Sequence, residues 1–400
     1  MFLTPGNFVE EGGFKHKAEG EKWYSGPVPG DYVLDRGDVI VAMTEQAEGL
    51  LGSSALIPKS GLYLHNQRLG LVRVRDTGAA DTRFLYYLFN LPHVRHQIRA
   101  SATGVKIRHT APSRIADVSV TIPTVSVQRR IAEILAAYDN LIENNRRRIR
   151  ILEEMARALY REWFVDVRFP GYDRTVVSGA DQCSVPNGWR FAKLKDVALV
   201  NQAQINTTTP PERILYIDIA SVGTGTVREG TPFTFEDAPG RARRVVQHGD
   251  ILWSCVRPNR RSHVLILNPE PDTVASTGFA VLTATKVPCT FLYQATTTDE
   301  FVAYLTNHAT GAAYPAVTAK TFQDAEMLLP PELLLGRFAA VTVPQAELIA
   351  VLQRQNANLR QTRDLLLPRL LSGQLRLADI ENDPRLATAS PTVHEQVVQA

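Results

Sequence analysis

Residues 128–164 carry the strongest helical pattern in the chain and read QRRIAEILAAYDNLIENNRRRIRILEEMARALYREWF. Apolar side chains recur there at alternating spacings of three and four residues, which is typical of a helix that buries one face along a coiled-coil seam. Asn145 lies on this seam, where a polar residue commonly fixes the register of pairing at some cost in stability. The predicted seam residues are Leu135, Tyr138, Ile142, Asn145, Ile149, Leu152, Ala156, Leu159 and Trp163.

The same helical pattern returns 207 positions later, over about residues 345–371. Shorter segments repeat at the same distance, because Phe84-Leu85-Tyr86 recurs as Phe291-Leu292-Tyr293 and Ala102-Thr103-Gly104 recurs as Ala309-Thr310-Gly311. A repeat of this length indicates a duplicated domain with its own long helix, since the units of solenoids and propellers are far shorter. The second seam contains Ile349, Leu352, Asn356, Leu359, Leu366 and Leu370; Arg363 interrupts it, and Pro368 is expected to kink or end the helix.

Neither long helix is expected to be stable alone, because an isolated helix gains most of its stability by burying one face. We therefore predict an α+β fold with two similar mixed α/β domains, each followed by a long helix, in which the two helices pair as an antiparallel coiled coil. Pairing with helices of another protein is the alternative. The predicted helix-pairing residues are Leu135, Tyr138, Ile142, Ile149, Leu152, Leu159, Ile349, Leu352, Leu359 and Leu366.

The predicted domain boundaries follow from the repeat and from changes in composition. Both copies contain a Gly-Asp turn before a buried strand, at Gly37-Asp38 and at Gly249-Asp250. The second copy also has a leading segment, Trp189 to Ile214, for which the first copy has no counterpart. The predicted parts are a first domain 1–127, a long helix 128–168, a linker 169–187, a second domain 188–336, a long helix 337–378 and a tail 379–400.

Composition permits a nucleic-acid partner without requiring one. The chain of 400 residues has a formal net charge of +3 and a pI of about 8.7. Its three cysteines, Cys183, Cys255 and Cys289, form no CxxC pair and are typical of reduced thiols in the cytoplasm. The N-terminus has no apolar region of a signal peptide, and we expect no membrane span because no run of 18 apolar residues occurs.

Motifs of catalysis are missing from the sequence. There is no GxxxxGK[ST] loop, and no NPPF- or DPPY-like tetrapeptide of amino-methyltransferases. Glu19-Gly20-Glu21-Lys22 contains an ExK triplet but no upstream Pro-Asp strand, so we interpret it as a solvated loop. His93 and His96 lie three residues apart on a predicted helix and are interpreted as polar surface rather than metal ligands. We predict no catalytic and no metal-binding residues.

Several motifs along the chain together resemble the specificity subunits of type I restriction-modification systems. They are the two Gly-Asp strands, the two Ala-Thr-Gly segments, Ile122-Pro123 followed by Gln128-Arg129-Arg130-Ile131-Ala132, the helix end Ala158-Leu159-Tyr160-Arg161-Glu162-Trp163-Phe164, Pro186-Asn187-Gly188-Trp189, and Leu366-Leu367-Pro368-Arg369-Leu370-Leu371-Ser372-Gly373. Each motif alone is weak, whereas their order and the fixed period are specific. The resemblance covers nearly the whole chain.

The resemblance implies a non-catalytic subunit that binds a bipartite, asymmetric target in double-stranded DNA, with the helices setting the distance between the two halves. The implied partners are two methyltransferase subunits and restriction subunits with translocase and nuclease activity. S-adenosylmethionine, ATP and Mg²⁺ are expected in those partners and no cofactor in this chain, which is expected to be cytoplasmic. The alternatives are a coiled-coil adaptor with decayed DNA binding, and a self-sufficient nuclease or methyltransferase.

Candidate DNA contacts in the second copy are basic residues at turns. Arg257-Pro258-Asn259-Arg260-Arg261 follows a strand, and arginine can read guanine or grip phosphate. An ordinary charged turn is the structural alternative. The predicted contacts are Arg257, Asn259, Arg260, Arg261, Arg243, Arg244, Tyr314 and Lys320, with Arg241 in the same cluster as Arg243.

Candidate DNA contacts in the first copy lie in two short segments. Lys106, Arg108 and His109 follow the Ala-Thr-Gly turn, while Asn66, Gln67 and Arg68 could read base edges or serve the structure of the domain. Arg146, Arg147 and Arg148 on the long helix are either a solvated face or a contact with a partner subunit.

Overall fold

The computed structural model describes residues 1–17, 20–45, 49–104, 107–171, 185–228, 230–372 and 374–377. The chain divides into two compact units: unit 1 is Met1–Asn144 with Asn356–Ala400, and unit 2 is Asn145–Gln355. Both divisions fall inside the predicted long helices. The predicted contact Lys106, the ExK residue Glu19, Cys183, most of the predicted linker and the predicted tail lie outside the described residues.

Unit 1 begins with a small β-rich region followed by short helices. Its strands are β1 Val33–Leu34, β2 Val39–Ala42, β3 Thr44–Glu45, β4 Ser54–Leu56, β5 Tyr63–Leu64, β6 Leu69–Val72 and β7 Arg108–His109. Its short helices are α1 Thr82–Phe89, α2 Pro92–Ala100 and α3 Pro112–Ala116.

Strand β2 is the centre of unit 1, because it pairs antiparallel with both β4 and β6 and all four of its residues are buried. Gly37 precedes it with φ of 90°, a conformation that glycine adopts without strain. Helix α1 covers the sheet with the fully buried Phe84, and the Asp81 side chain accepts a hydrogen bond from the backbone N–H of that residue at 2.9 Å.

Unit 2 is larger and contains two four-stranded sheets. Its strands are β8 Arg190–Lys193, β9 Ala198–Val200, β10 Arg213–Ile217, β11 Thr231–Thr234, β12 Ala242–Val245, β13 Ile251–Ser254, β14 His263–Leu265, β15 Thr273–Ser276, β16 Phe279–Ala284 and β17 Glu326–Leu329. Its short helices are α5 Leu194–Val197, α6 Cys289–Thr296, α7 Asp299–Asn307 and α8 Ala319–Asp324. The sheet orders are β14-β13-β16-β9 and β11-β10-β15-β12, and β17 pairs with β8.

The duplication predicted from the sequence is present in the secondary structure. Helices α6 and α7 begin and end 207 positions after α1 and α2. The bridge between Thr103 and His109 recurs between Thr310 and Ala316 at the same distance. The sheet β14-β13-β16 of unit 2 matches β4-β2-β6 of unit 1, so the copies share one topology around a buried central strand.

The leading segment of the second copy supplies two strands that the described part of the first copy lacks. Strand β9 extends the sheet beside β16, and β8 pairs with β17. The residues 207 positions before β17 form no strand; instead the Gln97 side-chain amide exchanges two hydrogen bonds with the backbone of Ser119, at 3.1 and 3.2 Å. A side chain therefore takes the place of a strand partner there.

The long helices are α4 Val125–Tyr160 and α9 Glu332–Leu371. A single turn of π-helix, Arg161–Val165, follows α4 and buries Trp163 and Phe164. The expectation that Pro368 ends the second helix is wrong, because α9 continues to Leu371 and the Pro368 carbonyl accepts a hydrogen bond from Ser372 N–H at 3.0 Å.

The two long helices run antiparallel, as predicted. In unit 2 the side-chain amide of Asn145 lies 3.5 Å from the side-chain amide of Gln355. Further along the chain, Tyr160 and Trp163 pack on Phe338. Higher residue numbers on α4 therefore face lower residue numbers on α9. In unit 1 the buried seam residues Leu135 and Tyr138 share a cluster with Leu366 and Leu367, beside the partly buried Leu359.

The other predicted seam residues have graded burial. Ile142, Ile149 and Leu352 are buried, whereas Leu152, Leu159 and Ile349 are half-buried. The polar seam residues Asn145 and Asn356 are also buried.

Helix α9 is long and apolar enough to cross a membrane by length and composition alone, with an 18-residue window of mean hydropathy 1.4. One such helix is weak evidence for a membrane span, because the apolar core helices of other proteins meet the same criterion. Leu334, Leu335 and Phe338 of α9 lie in the core of unit 2.

Candidate nucleic-acid interface

In unit 2 three segments meet where the central strand β13 ends. The N–H of Cys255 donates to the carbonyl of Gly278 at 2.8 Å, and the N–H of Val317 donates to the carbonyl of Cys255 at 2.9 Å. The basic turn that follows β13, the turn before β16 and the loop after the Ala-Thr-Gly segment are therefore held together by backbone hydrogen bonds.

The basic turn 257–261 is a tight loop with an unusual backbone. Arg257 and Arg261 both have positive φ, at 51° and 55°, and they flank one turn of 3-10 helix, Pro258–Arg260. Non-glycine residues adopt this conformation only where the surrounding structure holds them. Here the N–H of Arg260 donates to the carbonyl of Arg257 at 2.9 Å, which closes the turn.

Arg257 is engaged with the neighbouring loop. Its backbone N–H donates to the carbonyl of Pro315 at 2.7 Å, and its guanidinium donates to the carbonyl of Ala313 at 3.1 Å. The same guanidinium lies 4.6 Å from the centre of the Tyr314 ring, a cation–π arrangement. Arg257 thus positions Tyr314, whose side chain is 69% exposed.

The remaining residues of the turn differ in whether their side chains already have a partner within the protein. Arg261 forms an ion pair with Asp299 at 2.5 Å, at the start of helix α7. Asn259 and Arg260 are exposed, and their side chains form no hydrogen bond or ion pair with any residue that the structure describes. Lys320 is likewise exposed, on α8. Arg260 is therefore the arginine of this turn that remains open to a ligand.

The second basic cluster lies on and beside the edge strand β12. Arg241 is exposed, and its carbonyl accepts a hydrogen bond from Thr277 N–H at 2.8 Å, which places it next to the turn before β16. Arg243 lies over the Phe235 ring at 5.1 Å. Arg244 points inward, because its Nε is buried without a hydrogen-bond partner among the described residues and its charge acts on Cys255.

Unit 1 builds the corresponding strand end from different residues. The N–H of Met43 donates to the carbonyl of Arg68 at 3.0 Å, and the N–H of Thr110 donates to the carbonyl of Met43 at 2.9 Å. The structure therefore brings together the two segments that the sequence marked separately. Arg68, Arg108 and His109 are all exposed there.

Two predicted DNA contacts of unit 1, Gln67 and Asn66, differ in exposure. Gln67 is exposed. The Asn66 amide is buried; it donates to the carbonyl of Leu3 at 3.0 Å and accepts from Arg68 N–H at 2.9 Å. Asn66 serves the structure of the domain in this conformation, and we leave it out of the interface.

Sequence reasoning missed two acidic residues that shape these surfaces. Asp299 binds Arg261 from a position 38 residues away. Glu45 is buried, accepts hydrogen bonds from the N–H groups of Leu50 and Leu51 at 3.0 and 2.8 Å, and lies 3.5 Å from Arg99. No spacing rule connects such residues, because their partners are brought together only by the fold.

The side chains around the interface are poorly suited to nucleophilic or metal-assisted catalysis. Burial raises the pKa of the Cys255 thiol to about 11, so the reactive thiolate is disfavoured. Among the described residues, no group of three His, Cys, Asp or Glu side chains is arranged to hold a metal ion. The exposed groups are arginines, amides and an aromatic ring, which are suited to phosphates and base edges.

Comparisons with known proteins find relatives of this chain. A family model described as the type I restriction modification DNA specificity domain matches residues 15–154. Two relatives are from Methanocaldococcus jannaschii: the type I restriction enzyme MjaIX specificity subunit is 22% identical over 308 residues, covering 75% of this chain and 70% of the relative. The MjaVIII specificity subunit is 20% identical over 309 residues, covering 74% and 71%.

A solved structure has the same fold. The crystal structure of a type I restriction-modification system S subunit from M. genitalium aligns with a TM-score of 0.53 at 16% identity, and covers 92% of this chain and 91% of that chain. This likeness supports the duplicated α+β architecture with long helices. The domain model over residues 15–154 and the specificity subunits among the relatives support what the motifs predicted, a specificity subunit of a type I restriction-modification system.

Proposed function

We propose that this specificity subunit, itself non-catalytic, binds a bipartite and asymmetric target in double-stranded DNA, with one half contacted by each unit. The observation that carries the proposal is that both units present exposed basic residues at the end of the same central strand. These are Arg260 in unit 2, and Arg68 and Arg108 in unit 1. Arginine binds guanine O6 and N7 in the major groove or grips the phosphate backbone.

The asymmetry of the target follows from a difference between the copies. The pair Thr44 and His109 in unit 1 corresponds to the bridge between Val256 and Ala316 in unit 2. The residue that follows this pair along the strand is Glu45 in unit 1 and Arg257 in unit 2. Glu45 is buried and bonded within unit 1, whereas Arg257 holds the exposed Tyr314 in unit 2. The two copies therefore present different side chains at this position, and we infer that the two half-sites differ in sequence.

The experiment compares Arg260→Ala with Arg213→Ala, which removes an exposed arginine from the other four-stranded sheet of unit 2. Arg213 is the first residue of β10, which runs parallel to β15 with Leu215 opposite Thr273. The interface lies at the other end of β15, beyond Ser276. Both variants would be assembled with the modification subunits, and binding would be measured on cognate and mismatched duplexes over a salt series. We expect Arg260→Ala to weaken binding to the cognate duplex by about 1–3 kcal/mol and to reduce discrimination between bases at one position of the target.

Two results would redirect the proposal. A uniform loss on all sequences, with a salt slope lower by about one, would assign Arg260 to phosphate rather than to a base. No change relative to Arg213→Ala, together with no specific binding by the assembled complex, would favour the adaptor with decayed DNA binding.

We further propose that the long helices are the scaffold for two methyltransferase subunits and for restriction subunits. Large apolar side chains remain exposed on them: Ile151 and Met155 on α4 are 55% and 52% exposed, and Leu348 and Val351 on α9 are 37% and 39% exposed. Exposed apolar groups of this kind are suited to a protein partner. Arg146, Arg147 and Arg148 are also exposed on α4. S-adenosylmethionine, ATP and Mg²⁺ belong to those partners, and the complex acts in the cytoplasm.

Replacing Ile151 and Met155 with Asp tests the scaffold. We expect the variant to keep the melting temperature of the chain and to lose co-purification of the modification subunit. Leu333→Asp is the matched control, because Leu333 is 71% exposed in the first turn of α9, where an acidic residue is tolerated. Unchanged assembly of the Ile151 and Met155 variant would rule out this surface.

A further inference from the structure

Unit 2 contains a partly open cavity of about 70 Å³ where the second part of α4, the first part of α9 and α6 meet. A single buried water needs roughly 10–15 Å³ on the same measure, so the cavity has room for a small organic molecule. Its lining includes Glu153, Ala156, Leu265, Gln294, Gln345 and Ala346.

The internal repeat identifies what occupies the equivalent place in unit 1. Positions 207 residues from Ala156, Gln294 and Ala346 are Arg363, Tyr87 and Asp139. These three side chains form a compact network in unit 1, where the Tyr87 hydroxyl donates to Asp139 at 2.7 Å and the Arg363 guanidinium donates to the other carboxylate oxygen at 2.5 Å.

Unit 2 therefore lacks the guanidinium, the carboxylate and the phenol that fill this place in the other copy. Two alanines and a glutamine leave the space open because their side chains are smaller. By the internal repeat, the cavity lies at the position where unit 1 holds a guanidinium group.

The cavity also contains two acceptor groups that have no donor in the described structure. The half-buried Glu153 carboxylate forms no hydrogen bond or ion pair with any residue that the structure describes, and Arg157, one turn along α4, is exposed. Burial removes water from the Glu153 carboxylate and raises its pKa. The Gln345 Oε1 atom is buried without a hydrogen-bond partner in the described structure. Such groups gain stability when a donor reaches them.

We propose that this cavity binds a small organic cation, an alkyl guanidinium or alkyl ammonium, whose charged head contacts Glu153 and Gln345. The apolar side chains of Leu265 and Ile349, which also line the cavity, receive the alkyl stem. The ligand replaces the guanidinium that the chain itself supplies in unit 1, and it links α4, α9 and α6 in unit 2. This inference does not depend on the proposed DNA contacts.

The binding test uses the full chain and n-butylguanidinium, with the uncharged n-butylurea as the matched ligand control. Isothermal titration and thermal shift should show saturable binding and stabilisation by n-butylguanidinium only. Glu153→Gln should weaken binding by about tenfold or more, because a charge-assisted hydrogen bond is lost. Glu154→Gln is the matched protein control, since this neighbouring carboxylate is exposed, and it should bind as the natural chain does.

A second variant keeps the test decisive if Glu153→Gln fails to fold. Ala156→Arg places a guanidinium on the chain at the position of Arg363, so it should raise the melting temperature and abolish probe binding. Absence of saturable n-butylguanidinium binding to the natural chain overturns the proposal. So does binding that persists unchanged in either variant. A higher melting temperature for Ala156→Arg without any probe binding to the natural chain would mean that the cavity is only a packing defect.

Discussion

At the scale of single residues, the basic turn of unit 2 shows that identical side chains have different roles. Arg257 stacks on Tyr314 and holds its loop, Arg261 is paired with Asp299, and Arg260 is exposed. The sequence marks all three as DNA contacts, since it carries only their type and their place after a strand. Their division of roles depends on the partners that the fold brings to each side chain, Tyr314 beside Arg257 and Asp299 beside Arg261.

His263, two residues beyond this turn, makes unit 2 sensitive to acid. It is 5% exposed, its ring lies 4.9 Å from that of Trp253, and its Nδ1 lies 3.2 Å from the Tyr293 hydroxyl. Burial, with smaller contributions from Arg261 and Arg157, lowers its pKa from 6.5 to about 4. Between these values the unfolded chain takes up a proton that the folded chain does not.

We therefore expect the free energy of unfolding to fall as the pH drops from 6.5 towards 4, by up to about 1.4 kcal/mol per pH unit from this residue. His263→Gln should remove this part of the pH dependence, measured as the urea midpoint from pH 4.5 to 7.5. His308→Gln is the control, because His308 is exposed, and it should keep the slope of the natural chain. Equal slopes for all three proteins would contradict the assignment.

At the scale of elements, the pairing of the long helices in unit 1 depends on one polar cross-link as well as on apolar residues. Arg363, which interrupts the apolar pattern of α9, pairs with Asp139 of α4 at 2.5 Å and with Asp364 at 2.8 Å. The Arg363 and Asp139 side chains are 17% and 29% exposed, so the pair is largely removed from water. A buried pair of this kind fixes which residues face each other along two otherwise apolar helices.

Arg363→Ala should lower the free energy of unfolding by about 2–4 kcal/mol, because Asp139 is left largely buried with Tyr87 as its one remaining donor among the described residues. The measurement is chemical denaturation of Arg363→Ala, Asp139→Asn and the double variant. Arg354→Ala, an exposed arginine on the same helix, should change stability by no more than about 0.5 kcal/mol. If the effects of the two single variants add without coupling, the cross-link does not contribute to helix pairing.

At the scale of the whole molecule, both long helices are continuous through the division between the units. Helix α4 has 36 residues and α9 has 40, and each has residues in unit 1 and in unit 2. A continuous helix is a stiff connection of fixed length per residue. The proposed distance between the two half-sites should therefore follow helix length rather than the length of the linker after α4.

Inserting seven residues after Asn144 in α4 and seven after Gln355 in α9 keeps the heptad phase of both seams. Each helix becomes longer by about 10 Å, at 1.5 Å per residue. The spacer of the methylated motif should then grow by about three base pairs, at 3.4 Å each. Methylome sequencing of a host that carries the variant and its modification partner would show the change.

The control for this insertion adds seven residues to the predicted linker, between residues 175 and 176. It should leave the spacer unchanged, because both long helices keep their length. A spacer that stays constant when the helices are lengthened, or that changes with the linker, would contradict the role of the helices in setting the distance.

The sequence by itself determined the duplication, the α+β class, the two long helices and the resemblance to specificity subunits, because periodicity and a fixed offset of 207 are properties of the linear chain. It marked the segments that carry the candidate contacts, since turns and basic clusters are local. Only the tertiary structure decided that Asn66 is buried, that Arg257 holds Tyr314, and that Arg363 reaches Asp139 across 224 positions. Each of these depends on side chains that meet in space without any regular spacing in sequence, and the cavity beside Ala156 likewise exists only where three helices converge.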